Sequence, residues 1–367
     1  MKFVLNRESI LKPANSVRNI INPKAVNELL QNMLFTISDK QLILEGSDLE
    51  VGVRYTVMLE DAEESGKITV PADKFVRIIA DAADEHINVL IDNNRMYVAS
   101  GSAKFELLLR DAEDYPVFPE WNDGSSFTMP FHTLKEMIKR TIFATATDTA
   151  RFVFRGVLFE VNGNQLNLVA TDSHVLARST GTLDSVNVQD DLKVVVPRKV
   201  LDELLNCDHD GLITVHFNKQ NIRFDMDQVV FVSRLIDAKF PEYQKVIPSI
   251  NNKIAKVPKA DLLNSFKRVG VFVNKESGRV TLSFDTDKLK VTARMSEIGV
   301  AEDLIAVQYA AEPVKIDFNI RYMREILSAA TEETCNLNMY DSQSAVVVTM
   351  GEAEQYLWVI MPLVTLD

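Results

Sequence analysis

Leu42, Leu166 and Leu289 stand 124 and 123 residues apart, and each opens a stretch in which apolar and polar residues alternate. That alternation is the pattern of a strand with one buried face. The offset recurs elsewhere. Leu109-Arg110-Asp111-Ala112 followed by Tyr115-Pro116 is matched by Leu235-Ile236-Asp237-Ala238 followed by Phe240-Pro241. Val70-Pro71 and Val196-Pro197 each precede a helical run, and Phe318-Asn319-Ile320-Arg321 opens the corresponding run of the last third. A period this long is the size of a whole domain rather than of a solenoid repeat. The chain therefore reads as three copies of one unit, with boundaries at 1–123, 124–250 and 251–367.

Each third is long enough to bury a core of its own. Hydrophobic residues make up 46% of the chain, and the net charge of −12 argues against a surface that coats nucleic acid all over. Cys207 and Cys335 lie in different thirds and form no CxxC, which suits a reducing cytosol and offers no metal framework. Arg7 and Glu8 follow the N-terminus too closely for a signal peptide. No apolar run has the length of a membrane span.

Taken in order, the first third predicts a strand over 2–6 and a helix capped by Ser9 with Pro13 near its first turn. Strands follow at 34–37, 41–45 and 49–59, then a helix at 72–83 and strands at 87–91, 96–100 and 105–109. The middle third predicts helices at 132–144 and 197–206 with strands at 156–161, 165–170, 213–218, 221–226 and 229–236. The last third predicts helices at 259–270 and 319–330 with strands at 280–284, 288–294, 336–340, 345–350 and 355–361. Segments 111–123 and 237–252, rich in proline and charge, read as linkers. Two helices and many alternating strands per copy make an α+β fold with mostly antiparallel sheets.

The six helices carry fourteen basic and seven acidic residues, a net +7, which leaves −19 for the remainder. In 132–144, Leu134, Met137, Ile138, Thr141 and Ile142 share one face while Lys135, Lys139 and Arg140 share the other. One such helix is an ordinary solvated face. A net positive set of helices in an acidic chain would draw a polyanion to one side only. No phosphate loop, HExxH, EF-hand loop or GxSxG is present. Asp172-Ser173-His174 holds triad residue types, but neighbours along a strand point to opposite faces and a triad is built from separated segments. Cys207-Asp208-His209-Asp210-Gly211 reads as a helix-to-strand turn rather than a metal site.

Several stretches together resemble the bacterial DNA polymerase III beta subunits, the DNA sliding clamps. They are Met1-Lys2-Phe3 with Leu11-Lys12-Pro13, Gly156-Val157-Leu158-Phe159-Glu160, Val169-Ala170-Thr171-Asp172-Ser173-His174, Val196-Pro197-Arg198-Lys199, Phe240-Pro241-Glu242-Tyr243 and Met361-Pro362-Leu363. The resemblance spans essentially the whole chain. It implies three clamp domains of the DNA clamp fold and a head-to-tail homodimer closing into a ring. Duplex DNA would pass through a hole lined by helices, and no reaction would be catalysed and no cofactor used. Lys24, Lys74, Arg77, Lys135, Lys139, Arg140, Arg151, Arg198, Lys199, Lys267, Arg268 and Arg321 would then face double-stranded DNA without regard to sequence.

The same resemblance implies a peptide cleft formed by Phe154, Thr171, His174, Val175, Leu176, Pro241, Lys245, Val246, Val359, Met361, Pro362 and Leu363. The replicative polymerase alpha subunit, the clamp loader and repair polymerases would insert motifs of the Gln-Leu-x-Leu-Phe kind there, since an apolar groove with a few polar groups suits leucine and phenylalanine anchors. The dimer seam would pair Phe105 and Leu107 with Val271 and Phe272. Two departures stand out: Ser173-His174-Val175-Leu176 where many relatives have Gly-His-Arg-Leu, and Val364-Thr365-Leu366-Asp367 where many end with an arginine. The expected location is the bacterial cytoplasm, associated with the nucleoid, with no membrane contact. An enzyme or regulator that reuses the triplicated fold is the competing reading, and it would need a polar catalytic constellation.

Overall fold

Six stretches of this chain share one grammar: an alternating strand that ends in proline or asparagine and runs straight into a helix. The strand ends are Asn6, Pro71, Pro130, Pro197, Pro258 and Asn319. The helices that follow are α1 (Arg7–Ile20), α2 (Ala72–Ala80), α3 (Phe131–Thr141), α4 (Arg198–Asn206), α5 (Lys259–Val269) and α6 (Ile320–Ala329). Proline's fixed φ suits entry into a helix, and asparagine supplies a side-chain cap. At α6 the Asn319 Oδ1 accepts the Arg321 N–H at 2.9 Å. The computed structural model describes residues 1–116, 121, 124–147, 151–188, 192–249, 251–351 and 355–364. The domain boundaries read at 123 and 250, and the tail residues Thr365, Leu366 and Asp367, lie outside them.

α1 begins two residues before the expected cap. Asn6 is the N-cap, its Oδ1 accepting the Ser9 N–H at 3.1 Å, so Ser9 sits inside the first turn and Pro13 in the helix interior. α3 gives way after Thr141 to a 3-10 turn, Ile142–Ala144. The Thr141 hydroxyl donates back to the Met137 carbonyl at 2.9 Å, the kind of bond that loosens a helix end.

The described chain divides into two compact units. The first holds the first third together with Ser125–Pro130, Ser185–Asn187 and Leu212–Arg234 of the middle third. Its smaller sheet has five strands in the order Asp61–Ala62, Lys2–Asn6, His86–Asp92, Arg95–Ser100, Ala103–Leu108. Its larger sheet has nine: Ser185–Asn187, Ser125–Pro130, Leu212–Phe217, Asn221–Met226, Val229–Arg234, Val51–Met58, Gln41–Ser47, Asn32–Ser38, Gly66–Pro71. α1 buries Ile10, Ala14, Val17 and Ile20, and α2 buries Phe75, Val76 and Ile79.

The second unit holds His132–Leu183, Asp190–Arg198 and Ile236–Asp367, so α4 from Lys199 on belongs to the first. Its eight-stranded sheet runs Leu192–Pro197, Gly156–Asn162, Gln165–Thr171, Val175–Thr182, Tyr356–Ile360, Val346–Thr349, Thr334–Met339, Lys253–Pro258. A four-stranded sheet runs Gly299–Ala306, Lys288–Met295, Arg279–Asp285, Val314–Asn319. Every pairing in both units is antiparallel. Middle-third strands thus join first-third strands through Phe231↔Val53 in one unit and last-third strands through Leu176↔Val359 in the other.

The three thirds carry the same register. Leu34 pairs with Glu45 and Thr69, and Glu45 with Arg54. Leu158 pairs with Val169 and Val195, and Val169 with Arg178. Thr281 pairs with Thr292 and Asp317, and Thr292 with Glu302. Strands Gly66–Pro71, Ser125–Pro130, Val175–Thr182, Leu192–Pro197, Lys253–Pro258, Gly299–Ala306 and Val314–Asn319 go beyond the sequence reading.

The described parts of both supposed linkers are folded. Tyr115 is buried and its hydroxyl donates to the Asn32 carbonyl at 3.0 Å. Phe240 and Tyr243 are buried, and Tyr243 donates to Glu160 Oε2 at 2.6 Å. These aromatic anchors hold polar segments against the outer face of each large sheet. Cys207 and Cys335 are both buried and free. Among the described residues, no helix is long and apolar enough to cross a membrane.

Candidate functional site

The cleft lies within the second unit and grows from one tight turn. Strands Gln165–Thr171 and Val175–Thr182 are joined by Asp172-Ser173-His174. Asp172 Oδ1 accepts the N–H groups of His174 and Val175 at 2.9 and 3.0 Å, and the Thr171 hydroxyl donates to the Val175 carbonyl at 2.7 Å. Ser173 sits at φ 84°, a left-handed conformation that glycine adopts at less cost. These three residues form a turn, not a strand as the sequence reading had it, because the Asp172 carboxylate takes over the backbone donors.

The turn also has a partner that the sequence reading missed. Tyr322 of α6 donates its hydroxyl to Asp172 Oδ2 at 2.5 Å, and its ring stacks on His174 with centroids 6.4 Å apart. Burial and that hydrogen bond push the Tyr322 hydroxyl up to about 12. No local pattern marks Tyr322, since it reaches the turn from α6, 150 residues further along the chain.

Val175–Thr182 pairs with Tyr356–Ile360 through Leu176↔Val359 and Val175↔Ile360, and the Met361 N–H donates to the His174 carbonyl at 2.9 Å. Leu176 and Val359 join a buried apolar cluster with Leu158, Val169, Val195, Phe240, Tyr243, Val347 and Leu357. Phe154 is buried with its ring edge-on to Phe240, centroids 6.3 Å apart. Around this floor the exposed groups are His174, Pro241, Lys245, Val246 and Met361, with Leu363 half-buried and Pro362 buried. Met361 is 45% exposed and Val246 56%, so both present apolar surface to solvent. Lys245 pairs with Glu242. Thr171 is spent on the turn. Val175 alternates to the opposite sheet face from Leu176 and is fully buried there. The arrangement offers an apolar floor, two exposed apolar side chains and a polar turn; it suits anchoring a short peptide.

The twelve basic residues separate into two groups. Arg77 pairs with Asp73 at 3.1 Å, Lys199 with Asp48 at 2.5 Å and Arg268 with Asp303 at 2.5 Å. Arg140 is 15% exposed, pairs with Glu136 and lies 4.2 Å over the Tyr356 ring, while its carbonyl accepts the Trp358 Nε1–H at 2.9 Å. Arg198 donates to the Thr145 hydroxyl at 3.1 Å, and Arg151 and Arg321 lie over the rings of Phe154 and Tyr322. Lys135 is half-buried. Lys24, Lys74, Lys139 and Lys267 are exposed and make no ion pair among the described residues.

Phe105 and Leu107 lie half-buried on Ala103–Leu108, the edge strand of the five-stranded sheet. Val271 is exposed and Phe272 half-buried beside Gly299, at the start of the other edge strand, Gly299–Ala306. That strand also exposes Val300 and Leu304 on the same face as Glu302, a face that sequence reasoning missed. Cys207 to Gly211 form the expected helix-to-strand connection, with His209 Nε2 3.1 Å from the Leu212 carbonyl oxygen.

Three register-matched copies, each with two helices and antiparallel strands, define the DNA clamp fold. Family models for the N-terminal, central and C-terminal domains of the DNA polymerase III beta subunit match residues 1–119, 128–242 and 244–364. The beta sliding clamps of Haemophilus influenzae and Escherichia coli are each 32% identical to this chain, covering 99% of it and 100% of their own length. A griselimycin-bound sliding clamp from Pseudomonas aeruginosa superposes with a TM-score of 0.93 at 32% identity, covering 100% of both chains. One from Bartonella birtlesii, also griselimycin-bound, gives 0.93 at 28%. The chain belongs to the DNA polymerase III beta-subunit family, the beta sliding clamps, which are non-catalytic processivity subunits.

Proposed function

We propose that this chain closes as a head-to-tail homodimer around duplex DNA and tethers the replicative polymerase alpha subunit, the clamp loader and repair polymerases through the Leu176–Val359 cleft. The three domains of each protomer would be 1–123, 124–250 and 251–367. Work would be done in the bacterial cytoplasm at the nucleoid. The observation that carries the reading is the sign of the helices: a net +7 on six helices within a chain of −12. A ring need not grip what it encircles, and lysine–phosphate contacts without base readout let it slide.

Exposure favours Lys24, Lys74, Lys139 and Lys267 as the DNA-facing set, while Arg140 packs over the Tyr356 ring. We place the seam at two of the sheet edges. Ala103–Leu108 and Gly299–Ala306 are edge strands with exposed apolar side chains, and closing a ring removes such edges. Phe105, Leu107, Val271, Phe272, Val300 and Leu304 would meet there.

Retention on DNA tests the topology. Protein loaded onto nicked circular DNA should stay bound through a high-salt wash and be released when the circle is linearised. Equal loss from both forms would overturn the ring. Phe272→Ala should shift the protein toward monomer in sedimentation at high dilution; an unchanged dimer would move the seam elsewhere.

A further inference from the structure

The outer face of the four-stranded sheet is unlike the rest of this acidic chain. Arg279, Lys288, Lys290, Arg294 and Lys315 stand around Thr281, Ser283 and Thr292, lining an open depression of about 1000 Å³. Arg279 is paired with Asp317 and Lys290 with Glu302. Lys288, Arg294 and Lys315 are exposed and make no ion pair among the described residues.

The internal repeat says what such a face holds. Lys315 lies opposite Ser283, Lys193 opposite Glu160 and Lys67 opposite Thr36, all at one register position of the three copies. In the first copy the chain covers this face itself. Arg110 bridges to Thr69, and Asp111, Glu113, Tyr115 and Pro116 line a cavity of about 420 Å³ together with Lys67 and Arg54. In the middle copy Ile236 N–H donates to the Val195 carbonyl at 2.9 Å and Phe240 and Tyr243 follow. In the last copy Leu363 N–H donates to the Asp317 carbonyl at 2.8 Å, at the position of Arg110 and Ile236. Yet the depression is lined by the four strands and Pro313 alone, among the described residues.

We propose that the last copy's outer sheet face is a docking site for an extended acidic peptide segment of a partner protein, running where the first copy lays its own Asp-Ala-Glu-Asp-Tyr-Pro segment along its sheet edge. Lys288 and Lys290 lie two residues apart on one strand, and Lys315 stands on the far edge strand. Side chains on one strand face repeat at about 6.6–6.8 Å, the spacing of alternate carboxylates on an extended peptide. A single nucleic-acid strand fits less well. Among the described residues, the face has no exposed aromatic ring for base stacking. The site shares no side chain with the Leu176–Val359 cleft floor, although it adjoins Leu363 through Asp317 at one edge and the proposed seam through Leu304 at the other.

The probe is a fluorescent peptide copying residues 109–116, titrated against the full chain at low salt and compared with an Asn/Gln version. The acidic peptide should bind saturably and the neutral one at least about tenfold more weakly, a difference of about 1.4 kcal/mol. Lys288→Glu with Lys315→Glu, and separately Arg294→Glu, should lower affinity for the acidic peptide by about tenfold, with melting temperature unchanged as a check on folding. Lys67→Glu, at the matching register position of the first copy, should leave it unaltered. Equal binding of the two peptides, or indifference to all the last-copy variants, overturns the proposal. So does loss of oligothymidylate binding in the double variant while the acidic peptide never bound.

Discussion

In the middle copy Leu158, Val169 and Val195 meet on the outer sheet face; in the last copy Thr281, Thr292 and Asp317 hold the same register positions. The backbone frame is one and the chemistry is opposite. The apolar face binds its covering segment through Phe240 and Tyr243 and forms the cleft floor with Leu176 and Val359. The polar face is ringed by lysine and arginine and holds no covering segment among the described residues. The first copy is intermediate: Leu34 is kept, Glu45 is paired with Arg54 at 2.7 Å, and Tyr115 replaces Phe240. The three copies share one backbone frame, and their outer faces differ in side-chain chemistry.

The largest effect that can break this comparison is in the core. Leu158→Ala should cost about 2–5 kcal/mol in denaturant unfolding, because the side chain is buried in a packed cluster. Thr281→Ala, its exact register counterpart, should cost about 1 kcal/mol, the worth of its 2.6 Å hydrogen bond to Asp317. Equal costs would mean the two faces are not energetically distinct. Next, Met361→Ala should weaken a Gln-Leu-x-Leu-Phe peptide by about tenfold in a fluorescence titration while leaving the oligomeric state untouched. Unchanged affinity would place the groove away from the C-terminal strand.

Among the basic residues, Lys74→Glu with Lys139→Glu and Lys267→Glu should reduce loading alike on every DNA sequence, and the loss should shrink as salt rises. Arg140→Glu should act differently: it removes the cation over Tyr356 and should lower the melting temperature. The smallest effects concern the covering segments. Tyr243→Phe and Tyr115→Phe each delete one buried hydrogen bond and should cost about 1 kcal/mol. A thermal scan showing no change for Tyr243→Phe would make that segment a tether rather than part of the cleft wall.

Much of this was legible in the residues. A long repeat with alternating stretches and paired helical runs is enough for a triplicated α+β chain. The strands before the helices were passed over because five or six alternating residues ending in Pro71, Pro197 or Pro258 merge with the helix signal that follows. Phe240 and Tyr243 were lost to a linker reading because single aromatics among Lys239, Pro241 and Glu242 show no period. What buries them is the sheet beneath, which is assembled from distant strands. The cleft positions came from a family resemblance, and the structure sorts them by strand alternation: Leu176 and Val359 on one face, Val175 on the other. Tyr322 had no signal at all, being joined to Asp172 only in three dimensions.

Hydrogen exchange of the full chain with and without a Gln-Leu-x-Leu-Phe peptide addresses the division of labour among the three faces most directly. Protection should appear in 171–176, 241–247 and 359–363, and not in 43–54 with 110–116 or in 281–294. Protection centred on the first or last copy, with the Leu176–Val359 region unchanged, would contradict the account.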